Sequence, residues 1–137
     1  MENSRRVAQK FIDLLEAKKV EEAYGLIGKT GRFILIGTTP ISGVFNGWDE
    51  FINHMGPVLA ELPDPTQMSF SEIIVEGDRA VMLASSKGKA LGGRDYSQPY
   101  YAFVARVEGD GFSELIEYAD TALIEYSYFN KKLVPAD

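Results

Sequence analysis

Apolar residues recur at helical spacing through the first part of the chain. Val7, Phe11, Leu14 and Leu15 return every three, four and seven positions, while Arg6, Lys10, Asp13 and Lys18 take the other side. That pattern predicts a helix over 4–17, capped by Ser4 or Asn3. Val20, Ala23, Tyr24 and Ile27 share a second, shorter stripe, with Gly28 as its stop. The apolar run Phe33-Ile34-Leu35-Ile36 between glycines reads as a strand, and 39–43 as a loop by its Pro and Gly content. A third helix is expected over 48–62, with Trp48, Phe51, Ile52, Met55 and Leu59 on one face. Gly56-Pro57 inside it predicts a kink or a fresh start, because proline cannot donate to the helix ladder.

After Leu62-Pro63-Asp64-Pro65 the period changes from helical to alternating. Residues 68–76 and 79–89, joined by Gly77-Asp78, read as one hairpin. Residues 96–108 and 112–126, joined by Gly109-Asp110-Gly111, read as another. Helices first and long strands afterwards predict an α+β fold, three N-terminal helices packed on one face of an antiparallel sheet. The 137 residues suit a single domain over 1–137, with a core at about 7–124 and a C-terminal tail at 125–137.

Composition narrows the chemistry. The chain has no cysteine and one histidine, which removes thiolate metal sites, cysteine nucleophiles and any site needing two histidines. With 20 acids against 14 bases, a phosphate-binding face is not expected, so no nucleic acid is predicted as a partner. No apolar run is long enough to span a bilayer, and the start is amphipathic and unlike a signal peptide, which predicts a cytoplasmic protein with no membrane partner. Gly28-Lys29-Thr30 resembles the end of a phosphate-binding loop, but position 23 is Ala23 where the motif needs glycine. No dinucleotide fingerprint occurs either, and neither a metal nor another cofactor is expected. All the tyrosines except Tyr24 lie between Tyr96 and Tyr128, and each brings a hydroxyl that needs a partner when buried. In 100–104, Tyr101 and Phe103 fall on one face and Tyr100 on the other, so both faces of the sheet should be covered, one by helices and one by another subunit. Which set faces the pocket stays open, because one bulge exchanges them.

Two ionisable residues are candidates for function. His54 beside Phe51 and Met55 is either a satisfied boundary residue or a general base. Glu117 shares a strand face with Leu115 and Ala119. On the helix-covered side its charge would be disfavoured, which suits acid/base work near neutral pH. The alternative is an ordinary strand acid paired with Lys87 or Lys89.

The segment Gly37-Thr38-Thr39-Pro40-Ile41-Ser42-Gly43-Val44-Phe45-Asn46-Gly47-Trp48-Asp49-Glu50-Phe51 resembles the G-x-x-P-x-x-G-x-x-x-G-x-x-x-F stretch of SnoaL-like proteins. Tyr100-Tyr101-Ala102-Phe103-Val104 and Glu117-Tyr118-Ala119-Asp120-Thr121-Ala122-Leu123 resemble the last two strands of that family, and the likeness runs from about Val7 to Ile124. The family belongs to the nuclear transport factor 2-like superfamily, with ketosteroid isomerase, scytalone dehydratase and limonene epoxide hydrolase as relatives. The resemblance implies a cone-shaped half barrel around an apolar pocket, and a homodimer formed through the convex sheet face. It puts Glu117 where relatives place a working carboxylate, while 83–89 lack the Arg-x-Asp of the epoxide hydrolase. Tyr24 with Glu117 could imitate the isomerase's oxyanion clamp. The resulting expectation is a cofactor-free isomerase, cyclase or hydrolase acting on a small apolar carbonyl or epoxide compound. Glu117, Tyr24 and Lys87 (or Lys89) would be its working groups. Trp48, Phe51, His54, Met55, Phe103, Leu115 and Ala119 would line the pocket. The alternative is a non-catalytic binder or dimeric interaction module of the same fold.

Overall fold

A computed structural model describes residues 1–62 and 66–137, so the expected break at Pro63-Asp64-Pro65 lies outside the described residues. Four helices pack on one six-stranded sheet, and both match the expected α+β class. The helices are α1 (Glu2–Glu16), α2 (Val20–Tyr24), α3 (Gly47–Glu61) and α4 (Thr121–Phe129). The strands are β1 (Arg32–Leu35), β2 (Gly43–Asn46), β3 (Gln67–Glu76), β4 (Arg79–Lys87), β5 (Gln98–Glu108) and β6 (Gly111–Tyr118). Their order is β2-β1-β6-β5-β4-β3, a curved sheet that does not close. All neighbours are antiparallel except β1 and β6, which run parallel.

The helical stripe of α1 buries Val7, Ala8, Phe11, Ile12 and Leu15. Phe11 makes edge contacts with Tyr24, Phe103 and Phe112 at 5.2–5.6 Å between ring centres, so this one side chain joins α1 to α2, β5 and β6. Ser4 and Asn3 do not cap α1, which starts earlier. Their side chains instead donate to the carbonyls of Gly77 (2.7 Å) and Gly109 (2.8 Å), tying the helix to both hairpin turns.

Three elements differ from the sequence expectation. The segment before α3 is a strand, β2, which ends at Asn46 and turns into the helix at Gly47, φ +84. There the backbone turns so closely that a Cβ would sit 2.3 Å from the Lys29 carbonyl oxygen. α3 runs through Pro57 without ending. Pro57 and Asn53 are both exposed, so water can serve the Asn53 carbonyl that lost its donor. β6 stops at Tyr118 instead of running to Tyr126, because the Asp120 side chain accepts from the Leu123 N–H and starts α4. Asn130, in the left-handed region, ends that helix. The Arg94 guanidinium donates to the last-turn carbonyls of Tyr126 and Ser127 at 3.1 and 3.0 Å.

The inner face of the sheet carries Phe33, Leu35, Met82, Tyr101, Phe103, Leu115 and Glu117, all buried under the helices. The outer face carries Tyr100, 86% exposed. Cross-strand register aligns Val44, Ile34, Ile116, Val104, Val81 and Ile74 on it as one aliphatic row spanning every strand.

Candidate active site

Between the concave sheet and the helices lies a cavity of about 310 Å³, at the small end of ligand sites. Its lining is mainly aromatic and aliphatic, from Phe33, Phe51, Met55, Tyr101, Phe103, Tyr128 and their neighbours. Among the described residues, the charged ones in the lining are Lys18, Glu21 and Glu117, and of these three Glu117 alone is buried.

Glu117 reaches this place because β6 alternates. Leu115 and Glu117 point inward, while Ile116 and Tyr118 point outward. Tyr24, at the end of α2, donates its hydroxyl hydrogen to Glu117 Oε1 at 2.5 Å. The Tyr24 ring is held by stacking on Phe51 (5.0 Å) and by edges of Phe11 and Phe33. The Tyr101 hydroxyl supplies a second, looser interaction with the carboxylate. Burial dominates the electrostatics and pushes the Glu117 carboxyl up from 4.5 to about 7, even though both tyrosines pull it down. Burial and the nearby carboxylate raise Tyr24 and Tyr101 well above their ordinary range, so both remain donors at neutral pH. Burial also moves Tyr128 up to about 12.

The sequence-predicted residues divide. Glu117, Tyr24, Phe51, Met55 and Phe103 meet at the cavity. Lys87 does not: it is exposed at the end of β4, and β5 separates β4 from β6. Lys89 pairs through its backbone with Asp95 instead. Trp48 stands behind the wall, stacked on Phe51 at 5.4 Å. His54 packs on Phe45 at 4.6 Å outside the cavity, its Nε2 buried without a partner. Leu115 is wholly buried in the core next to the site. Ala119 follows the end of β6, so the strand alternation no longer applies, and it lines an outer groove with Tyr100 and Tyr118. Among the described residues, no three His, Asp or Glu side chains converge as metal ligands would.

Tyr96, Gln98 and Tyr128 were missed as site residues. The spacing of Tyr96 and Gln98 from Tyr101 puts them on opposite faces of a regular strand. The pairing shifts from Ala84↔Tyr101 to Ser86↔Gln98, so that Pro99 and Tyr100 stand opposite Ser85 alone and β5 carries one extra residue. That irregularity returns all three side chains to the inner face, where Tyr96 and Tyr101 join hydroxyls at 2.7 Å.

No family model matches the chain, and no curated protein sequence does. Solved structures do. An NTF2-like protein of unknown function from Burkholderia pseudomallei superposes with a TM-score of 0.78 at 18% identity, covering 93% of this chain and 98% of the other. A protein described as a SnoaL-like polyketide cyclase from Jannaschia sp. CCS1 gives 0.72 at 12% identity over 92% and 91%. A ketosteroid isomerase-like protein from Catenulispora acidiphila, in complex with trimethylamine, gives 0.69 at 11% identity over 90% and 92%. At these identities the likeness is one of fold, and this chain has the NTF2-like α+β cone fold that SnoaL-like and ketosteroid isomerase-like proteins share.

Proposed function

We propose that the protein binds a small, largely apolar molecule in the cavity and moves a proton on it, with Glu117 as the acid/base. The observation that carries this reading is the buried Glu117 carboxyl, held by Tyr24 at 2.5 Å and poised at about 7. A group titrating there is half ionised at neutral pH, where it both takes and returns a proton. Glu117 would remove a proton from a carbon next to a carbonyl. The C–H electron pair would then form a C=C bond as the carbonyl pair moves onto its oxygen, where the Tyr128 hydroxyl at the cavity wall is available as a donor to the charge that develops. The reaction class is a cofactor-free isomerisation or cyclisation. Epoxide hydrolysis has less support, since the basic residue among the described lining, Lys18, is only half-buried. A purely binding role is the second reading. It draws on the occupancy of the Glu117 oxygens by tyrosine hydroxyls, and on the trimethylamine held by a protein of the same fold.

Hydrogen–deuterium exchange separates the two. Small cyclic enones and ketones are incubated with the protein in heavy water, and loss of the proton signal next to the carbonyl is followed by NMR. Acceleration by the wild type and not by Glu117→Gln supports catalysis. Saturable binding with no exchange by the wild type would overturn it in favour of a binder.

The outer face supports a homodimer. Its aliphatic row ends in Val44 and Ile74, 54% and 50% exposed. Beside it runs a row of Glu76, Arg79, Arg106, Glu114 and Arg32, carrying both signs, so a second copy related by a two-fold axis can meet charge with opposite charge. Light scattering after size exclusion tests it, and a monomer at micromolar concentration would refute it. Among the described residues no helix is long and apolar enough to cross a membrane.

A further inference from the structure

A chain of hydrogen bonds runs from the main chain to Tyr101, whose side chain shares the cavity wall with Glu117. The backbone N–H of Asp120 donates to Gln98 Oε1 at 2.8 Å. That contact orients the amide, so that Gln98 Nε2, which can only donate, faces the Tyr96 hydroxyl at 2.7 Å. The Tyr96 oxygen therefore accepts from Gln98, and the Tyr101 hydroxyl, 2.7 Å away, is within reach as acceptor for the Tyr96 proton. That leaves the Tyr101 proton free on the cavity side, where Glu117 lies on the same wall and is drawn down by this hydroxyl. Gln98, Tyr96 and Tyr101 are 1%, 4% and 7% exposed, so bulk solvent has little access to these links.

We propose that Gln98 is a positioning residue that sets the direction of this chain, so that Tyr96 and Tyr101 deliver hydrogen bonds to Glu117 and cannot carry a proton away from it. The anchoring link cannot reverse, because a peptide N–H has no lone pair with which to accept. Turning Tyr96 round would set its O–H against the Gln98 N–H and leave a buried donor unpaired. The proposal rests on the acid/base reading of Glu117 and extends it. A proton that Glu117 takes from a ligand C–H leaves only through the cavity. It forms a new C–H or O–H bond on the same ligand, or passes to water that enters the cavity. The site therefore suits a proton shift within one molecule over a reaction that discharges a proton to bulk solvent at every turnover.

The test reads the titration of Glu117 itself and needs no substrate, so it stands apart from the exchange assay. The groups facing the carboxyl are Tyr24 from α2, Tyr101 from β5, Tyr96 before β5 and Tyr128 from α4, with Lys18 and Glu21 also lining the cavity. Protein labelled with carbon-13 at the glutamate side-chain carboxyl is titrated by NMR, and Glu117→Gln assigns the signal. In Gln98→Glu the new carboxylate accepts from both Asp120 N–H and Tyr96, which reverses the chain and withdraws Tyr101 from Glu117. The Glu117 midpoint should rise by about one pH unit. In a Tyr101→Phe background the same change should add less than half of that rise, because the chain is already cut. An equal rise in both backgrounds would reduce the effect to through-space charge and overturn the proposal, as would no change at all. Gln98→Met serves if Gln98→Glu does not fold. It frees Tyr96 to point either way, and it should raise the midpoint in the wild type and leave Tyr101→Phe unchanged. A raised midpoint that persists in Tyr101→Phe would again overturn the proposal.

Discussion

Replacing Glu117 by Gln should make the protein less sensitive to pH, and more stable relative to wild type as pH rises. The Glu117 carboxyl goes from 4.5 in the unfolded chain to about 7 in the fold, with burial as the main cause. The folded state therefore holds the proton over a range where the unfolded chain has released it. Stability contributed by this group is fully present below pH 4.5 and is lost as pH climbs through 7. Each tenfold gain in proton affinity on folding is worth about 1.4 kcal/mol, so the whole loss is about 3 kcal/mol, of which roughly 2 to 3 kcal/mol falls between about pH 5 and about pH 8.5. Gln keeps an oxygen for the Tyr24 hydroxyl but cannot ionise, so its profile lacks this slope. Any constant penalty of the amide, such as an imperfect partner for its N–H group, is the same at every pH and drops out of the comparison. The other titrating groups are common to both proteins and cancel as well.

Urea unfolding followed by the fluorescence of the single tryptophan, Trp48, gives the two stabilities at each pH. The difference, Gln variant minus wild type, should grow by about 2 to 3 kcal/mol from about pH 5 to about pH 8.5, with unchanged slopes against urea. Parallel profiles would refute the reasoning, since they would mean that the carboxyl is solvated in the fold and titrates as it does in the open chain. A gap that narrows with rising pH would refute it more strongly, because the sign would be wrong.

Tyr24→Phe removes a donor that lowers the Glu117 midpoint, so carbon-13 titration should place that midpoint above 7, and a lower value would contradict the Tyr24–Glu117 hydrogen bond. Gly47→Ala places a Cβ 2.3 Å from the Lys29 carbonyl oxygen at a backbone φ of +84. Urea unfolding should show a loss of about 2 kcal/mol or more, and a loss below about 0.5 kcal/mol would mean that the β2–α3 junction relaxes freely. Val104→Lys sets a charge in the middle of the aliphatic row on the outer face, between Val81 and Ile116. It should convert a dimer to a monomer in light scattering while leaving the circular dichroism spectrum intact, and a dimer that survives the change would place the interface elsewhere.

How far the sequence foretold this site depends on whether a residue was placed by its own strand or by another. α1, α3 and both hairpins follow from local period, and so does Glu117, whose inward direction needs only the alternation of Leu115, Ile116 and Glu117 within one unbroken strand. The lysines failed because their role depended on strand order. Pairing Glu117 with Lys87 or Lys89 needed β4 to lie against the last strand, but β5 lies between them, and β1 takes the other side of β6. α4 was hidden for a different reason. Residues 121–129 are apolar on nearly every side, so they show no helical stripe, and only Asp120, whose side chain accepts from Leu123 N–H, marks the start. The Tyr96–Gln98–Tyr101 cluster is the harder case, since counting by twos puts its members on opposite faces. The one extra residue on β5 undoes that count and brings the Gln98, Tyr96 and Tyr101 side chains together. A bulge is therefore what lets one strand bring polar side chains from both of its nominal faces into one cluster beside Glu117. It follows that deleting one residue between Gln98 and Tyr101 would do more harm to the Glu117 environment than truncating any one hydroxyl, because it would turn Tyr96 and Gln98 away from Tyr101 together.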